Sequence, residues 1–278
     1  MDKESDGRYD SVDRAEQRLF SDKVGHGQQR KILDEVFDER TLKAVHKLMN
    51  DGLLYVLDFP ISTGKEASVF CGLGASMEEY AVKIYRVGNA TFNSIRRYIQ
   101  DDPRFRRIGK DKRSVIHAWA MKEFKNLERM QAAGAKVPRP IATHENVLIM
   151  DYLYNGDNHD PAPLLRNASD YDPEEAYKTL RNDVRKIVAK GRLVHGDLSE
   201  YNILMVEGRP WIIDVGQSLV LDHPQAKEYL QRDAYNLAHF FKKLKVEDAD
   251  AKELFAFWTK GVSFKAGAGR TKRDREEE

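Results

Sequence analysis

Cysteine is almost absent from these 278 residues, and the lone Cys71 excludes both an intrachain disulfide framework and a zinc cluster built on cysteines. That points to a reducing cytoplasm, with Cys71 an ordinary strand residue. No apolar run approaches the roughly 18 residues that a bilayer span requires, and the opening MDKESDGRYD is too polar for a signal peptide. A soluble protein with no membrane partner is expected. A charge of one sign is also lacking, since 46 Lys/Arg balance 45 Asp/Glu to leave a net +1. The chain as a whole therefore carries no nucleic-acid footprint, and its charge has to be read locally. Its length is enough for a large core and commonly divides into two lobes.

What is present is concentrated between Val194 and Gly216, VHGDLSEYNILMVEGRPWIIDVG. Asp197, Asn202 five residues on, and Asp214 flank what reads as a hairpin. In that hairpin the stretches 203–206 and 210–213 surround the turn Glu207-Gly208-Arg209. Asn202 and Asp214 are equidistant from Gly208, so a pairing centred there sets two hard oxygen ligands opposite each other. Such ligands suit Mg²⁺, or Mn²⁺ in its place, while Asp197 just upstream orients or deprotonates an acceptor. Protein kinases use the same order in their His-Arg-Asp-x-x-x-x-Asn and Asp-Phe-Gly segments. Here it is spelled His195-Gly196-Asp197, Asn202 and Asp214-Val215-Gly216. Caps and Asx turns explain any one of these residues alone but not three in register.

The rest of the chain reads as an α+β protein with a two-lobed, kinase-like arrangement. A polar arm over 1 to about 37 precedes a helix capped by Asp38, with Leu42, Val45, Leu48 and Met49 at helical spacing and a stop at Gly52. Segments 54–59, 67–72, 80–85 and 147–153 predict a small antiparallel sheet. Asp172 and Pro173 start a helix burying Tyr177, Leu180, Val184, Ile187 and Val188 and ending at Gly191. Four regions are expected: arm and helical extension (1–50), N-lobe (51–153), mainly helical C-lobe (154–262) and charged tail (263–278). Between the first two strands, STGKEAS (62–68) offers a phosphate-facing turn, and one hairpin later Ala81-Val82-Lys83-Ile84 matches the strand lysine of kinases. A helix over about 114–133 carries Glu123 inside its apolar stripe, so Glu123 is expected to pair with Lys83, the alternative being a margin residue reaching water. Lys122, Lys125 and Glu128 are read as its solvated side.

Together these segments resemble the RIO family of atypical protein serine/threonine kinases and ATPases, within it the Rio-one subfamily, over about residues 38–241. The resemblance rests on STGKEASVF, AVKIYR, AWAMKEFKNLERM, LVHGDLSEYNILM and IIDVGQSLVLDHPQAKEYLQRD. It implies ATP and Mg²⁺ as ligands, Lys83 and Glu123 as an ion pair, Asp197 as catalytic Asp, and Asn202 with Asp214 as metal ligands. It also implies Asp214 as an aspartyl-phosphate site, Met150, Asp151 and Leu153 around the adenine, and Ser62 and Lys65 near the phosphates. By the same resemblance the chain acts in maturation of the small ribosomal subunit, with the subunit precursor as partner. Several features depart from ordinary kinases: no full G-x-G-x-x-G, no A-P-E segment, and Ser199 at the usual catalytic-loop lysine, while Gly216 departs instead from the DVS expected of Rio-one relatives, loosening that loop. No winged helix precedes residue 50, which favours Rio-one over Rio-two.

Residues 86–113 read as a flexible insertion with nine Lys/Arg against three Asp, a net +6, interleaved with Phe92, Tyr98 and Phe105. Such a segment suits RNA or an acidic partner, or else a solvated loop. Two rival functions stand beside the RIO reading: a small-molecule or tRNA-modification-linked kinase, and a non-catalytic ribosome assembly factor gated by ATP. STGKEAS and the basic insertion separate the chain from the first. Slow turnover without an acceptor marks the second.

Overall fold

A computed structural model describes residues 36–88, 92, 95, 99, 102–105, 108–109 and 111–264. The expected N-terminal arm up to residue 35, most of the basic insertion and the tail from Lys265 lie outside them. The chain divides into two compact units. The first is Met1–Arg96, Ile108–Met121 and Pro140–Tyr152, and the second is Arg97–Arg107, Lys122–Arg139 and Leu153–Glu278. Among the described residues no helix is long and apolar enough to cross a membrane.

The first unit is built on a five-stranded antiparallel sheet in the order β1-β2-β3-β5-β4: β1 Val56–Thr63, β2 Ala67–Leu73, β3 Glu79–Tyr85, β4 Pro140–His144 and β5 Val147–Asp151. β1 begins later and ends later than the segment 54–59 expected from its apolar residues. Pro60 sits inside it, which the edge position allows because no ladder partner needs its missing N–H, and the register shifts on both sides of it. β4 was not anticipated, and β5 stops at Asp151 where the segment 147–153 was expected to run to Leu153. Helix α1, Glu39–Asn50, is capped as expected: the Asp38 side chain accepts the Thr41 N–H at 2.8 Å. Its buried face differs from the reading, because Thr41 and Ala44 join Val45 and Leu48 inside while Leu42 is 53% exposed. Ala44, Val45 and Leu48 pack with Leu54, Phe70, Val82, Ile84, Val147 and Ile149 into the core of this unit. Cys71 is buried on β2.

The second unit is mainly helical. Helix α2, Lys112–Ala132, enters it at Lys122, followed by α3 Pro173–Ala189, α4 Ala226–Lys243 and α5 Ala251–Thr259. Asp172 caps α3 by accepting the N–H groups of Glu174 and Glu175, with Pro173 in the first turn where its missing donor costs nothing. Leu180, Val184, Ile187 and Val188 of α3 are buried, as are Leu230, Leu237 and Phe241 of α4 and Trp258 of α5. The Trp258 indole N–H satisfies its polar end on the Arg181 carbonyl at 2.9 Å. The rest of this unit's strands are a pair of β6 Tyr154–Asn155 with β7 Asp160–Pro161, a short ladder of β8 Leu193–Val194 with β11 Leu219–Val220, and a hairpin of β9 Ile203–Val206 and β10 Arg209–Ile212.

Candidate active site

The β9–β10 hairpin turns on two residues, Glu207 at φ 47° and Gly208 at φ 71°, both left-handed, the conformation that matches the twist of paired strands. Pairing runs from Val206↔Arg209 to Ile203↔Ile212, so the centre lies between Glu207 and Gly208 and not on Gly208. The three-residue turn read from the sequence is one residue too long, because Arg209 already belongs to β10. Asn202 consequently faces Ile213, whose N–H donates to the Asn202 carbonyl at 3.0 Å. Asp214 follows as the residue where the chain leaves the ladder, at φ 57° and ψ 56°, and opens a 3₁₀ turn, Val215–Gln217. Asn202 and Asp214 are thus not cross-strand partners. Aspartate tolerates the left-handed region better than most residues, at a cost of about 1 kcal/mol or more that the surroundings must sustain.

Asp197 and Asn202 do come together. The Asn202 amide Nδ2 donates to the Asp197 carbonyl at 2.8 Å and to its carboxylate Oδ2 at 3.3 Å. Both partners can only accept, so the amide nitrogen is fixed on this side and Oδ1 is the atom left for a cation. Burial raises the Asp197 pKa above the usual carboxylate value and the charge of Asp214 adds to the rise, while His195, Arg232 and the Asn202 hydrogen bond oppose it. Two carboxylates that feel each other beside an amide oxygen form a hard donor set, and a divalent cation relieves their repulsion. The residues fit Mg²⁺ on that ground.

The loop bearing Asp197 is gripped from α4. The buried Asp233 accepts the Gly196 N–H at 2.8 Å and the Leu198 N–H at 2.9 Å, one with each carboxylate oxygen. Arg232 donates to the Gly196 carbonyl and Asn236 to the Leu198 carbonyl at 3.2 Å. Gly196 sits at φ +85°, and a Cβ there lies 3.4 Å from the Gln217 carbonyl oxygen, so glycine is the residue this loop requires. His195 accepts the Asp197 N–H on Nδ1 at 3.3 Å, leaving Nε2 to carry the proton donated to the Ile213 carbonyl at 3.0 Å. None of Arg232, Asp233 and Asn236 was singled out from the sequence. One signal was available: Asp233 falls three residues after Leu230 and four before Leu237, inside a buried stripe where a carboxylate needs partners.

Burial pushes Asp233 up to about 6, against the lowering charges of His195 and Arg232 and the two N–H donors. Its folded pKa lies above the unfolded value of 3.8, so the stability it contributes through proton linkage is present below about 4 and is lost as pH rises through about 6. Asp233→Asn is expected to remove that segment of the stability profile. It should also cost about 1–3 kcal/mol, because an amide NH₂ then faces one of the loop N–H groups. Denaturant unfolding between pH 4 and 7 checks this, and parallel curves for the two proteins count against it.

The other sequence candidates are placed as follows. In the first unit, Lys83 is buried on β3 with its Nζ 5.3 Å from the Tyr85 ring centroid, and Met150 and Asp151 stand on β5 opposite Ala81 and Tyr80. Ser62 lies at the end of β1 opposite Val69, and Lys65 is exposed in a turn closed by the Gly64 N–H on the Ala67 carbonyl at 2.9 Å. In the second unit, the Leu153 carbonyl accepts the Ala162 N–H at 3.0 Å, and Glu123 is 1% exposed, which removes the alternative in which it reaches water. Lys122 overturns the reading outright. Instead of facing solvent it is wholly buried, its ammonium donating to the carbonyls of Gly216 at 2.6 Å and Ser218 at 2.8 Å. Gly216 is therefore tied down rather than loose. Lys125 and Glu128 are exposed as expected.

The signature of the RIO domain matches residues 68–254. A RIO-type serine/threonine-protein kinase Rio1 of Haloferax volcanii is 43% identical over 258 residues, covering 92% of this chain and 88% of the relative. The RIO-type serine/threonine-protein kinase Rio1 of Methanocaldococcus jannaschii is 40% identical, covering 82% and 77%. Among solved structures, the Rio2 kinase–ADP/Mg²⁺–phosphoaspartate complex from Chaetomium thermophilum superposes with a TM-score of 0.59 at 26% identity, covering 81% of this chain and 66% of that one. With a matching domain signature, relatives alike over most of their length and a shared fold, this chain belongs to the RIO family of serine/threonine-protein kinases.

Proposed function

We propose that this chain cleaves the β–γ phosphate bond of ATP with Mg²⁺ and works on the precursor of the small ribosomal subunit. The observation that carries the first half is the lock between Asp197 and Asn202, set beside the left-handed Asp214 and gripped from behind by Asp233. In this reading Asn202 and Asp214 hold the cation, which supplies charge neutralisation at the phosphates. Asp197 orients the acceptor, and Lys83, Ser62 and Lys65 belong to the phosphate side of the nucleotide, with Glu123 in the ion-pair role of the family pattern. Met150, Asp151 and Leu153 belong to its adenine side. The Asp214 carboxylate is also the proposed phosphoryl acceptor: its oxygen bonds to the γ-phosphorus as the bridging P–O bond breaks and ADP leaves. Support comes from the Chaetomium thermophilum kinase, a complex with ADP/Mg²⁺ and phosphoaspartate. Incubation with γ-labelled ATP tests this. Mg²⁺-dependent phosphate release, increased by small-subunit particles, with hydroxylamine-labile label on the chain, is the expected result, and no Mg²⁺-dependent release refutes it.

The ribosomal half rests on the basic insertion and the family resemblance. Arg104 is held inward, with Nη2 on the Asp102 carboxylate at 2.6 Å and Nη1 on the Asn126 amide oxygen at 2.9 Å. Arg96, Arg97, Arg106 and Arg107, which lie outside the described residues, remain for an RNA contact. Replacing those four with Ser is expected to weaken binding to small-subunit particles and flatten its salt dependence, each lost phosphate contact reducing the slope by about 0.7–0.9. Basal ATP hydrolysis should be kept. An unchanged salt slope removes RNA as the partner of this segment.

A further inference from the structure

Three carbonyls just after Asp214 point at one face of α2. Asn126 Nδ2 donates to the Val215 carbonyl at 2.8 Å, and Lys122 Nζ donates to those of Gly216 and Ser218 at 2.6 and 2.8 Å. Lys122 and Asn126 are four residues apart, so they rise from the same helix face one turn from each other. Behind them stands a second layer from the basic insertion. Arg104 donates to the Asn126 amide oxygen, and the Asp102 carboxylate, 1% exposed, holds Arg104. The charges of Asp102 and Glu123 favour the Lys122 ammonium while Arg104 opposes it. Desolvation of that ammonium is the largest influence and brings it down to about 7. A wholly buried lysine is a costly way to satisfy two carbonyls. Packing alone does not call for it.

We propose that Lys122 and Asn126 are positioning residues for phosphoryl transfer: they hold the 215–218 backbone against α2 and so maintain the left-handed conformation of Asp214, with Arg104 and Asp102 bracing them from the insertion. This rests on Asp214 being the metal-binding and phosphoryl-accepting residue. The sequence of contacts supports it, since the Val215 carbonyl accepts both from Asn126 and from the Ser218 N–H that closes the 3₁₀ turn behind Asp214. A strained residue persists only where its neighbours over-determine it. The brace does that from the C-terminal side, and the Ile213 N–H on Asn202 does it from the other.

The test is Asn126→Asp, which keeps the acceptor for Arg104 but turns the donor facing the Val215 carbonyl into a second acceptor. If Asn126 only anchored Arg104, the change would be neutral or stabilising. Under the proposal, amide exchange at Ser218 in the nucleotide-free protein rises by about tenfold or more, with α3 amides unchanged. In the same variant kcat falls at least about thirtyfold while the KM for ATP stays within about threefold. Arg104→Gln, at a side chain 21% exposed, is the gentler second variant and moves both readouts the same way by about three- to tenfold. Unchanged exchange in both variants overturns the proposal, as does faster exchange with unaltered kcat. If the unmutated chain shows no Mg²⁺-dependent turnover, it is the functional reading that fails, and the brace is then judged on exchange alone.

Discussion

Asp214→Ala is expected to abolish Mg²⁺-dependent ATP turnover, a loss of at least about a thousandfold. Three effects act together. Of the two proposed ligands the charged one goes and the neutral amide oxygen of Asn202 stays, with Asp197 given over to the acceptor, too little for a cation that prefers carboxylates and phosphates. Alanine is also poorer than aspartate at φ 57°, so the loop is free to relax away from the site. Asp197 loses a neighbouring negative charge that now helps raise its pKa, and should move back toward the ordinary value. Asp214→Asn separates these effects, because asparagine accepts the left-handed backbone and keeps one hard oxygen but no charge. It should sit between the unmutated protein and the alanine variant in cation dependence, and it should form no hydroxylamine-labile label. Phosphate release as a function of Mg²⁺, with melting curves for both variants, is the measurement. Turnover by Asp214→Ala within tenfold of the unmutated protein takes Asp214 out of the chemistry.

Much of this was legible because it is local. The Asp38 cap, the Asp172-Pro173 start of α3 and the strand around Lys83 depend on residues within a turn or two of one another, and each is found where the reading put it. The hairpin was legible in type but not in register. Choosing between a three-residue turn on Gly208 and a two-residue turn on Glu207-Gly208 depends on Glu207 accepting φ 47°, which composition does not announce. That single residue decides whether Asn202 faces Asp214 or Ile213. Lys122 failed for another reason. A lysine beside a glutamate on a helix reads as solvated, and the carbonyls that hold it inside belong to residues more than ninety positions away. β4 was missed because it has no alternating apolar pattern, and β1 was read as stopping at Phe59 because Pro60 is the residue type that usually ends a strand. Asp233 is the instructive omission, since the reasoning applied to Glu123, a carboxylate inside an apolar stripe, applied to it equally.

Asp197→Asn should separate binding from chemistry. The main-chain half of its contact with Asn202, Nδ2 on the Asp197 carbonyl at 2.8 Å, does not involve the side chain, so the variant should keep Asn202 in place. Gly196 and Leu198 on either side stay fixed to Asp233. What goes is the negative charge proposed to orient an acceptor, and with it about a hundredfold or more of turnover is expected to be lost, the range of a positioned acid–base group. Affinity for ATP with Mg²⁺ should change by no more than about threefold. Lys83→Ala is the contrast, since in its proposed role removing that cation should weaken nucleotide binding together with turnover. The pH profile gives a second handle. Asp197 is raised chiefly by burial, so the unmutated protein should lose turnover as pH falls through a value above that of an ordinary carboxylate, and the Asn variant should lack that limb. Calorimetric titration with ATP and Mg²⁺, paired with single-turnover assays from pH 4 to 8, reads both quantities. Equal turnover in the two proteins, or a tenfold loss of affinity in the variant, would show that Asp197 serves the loop's structure and not the transfer itself.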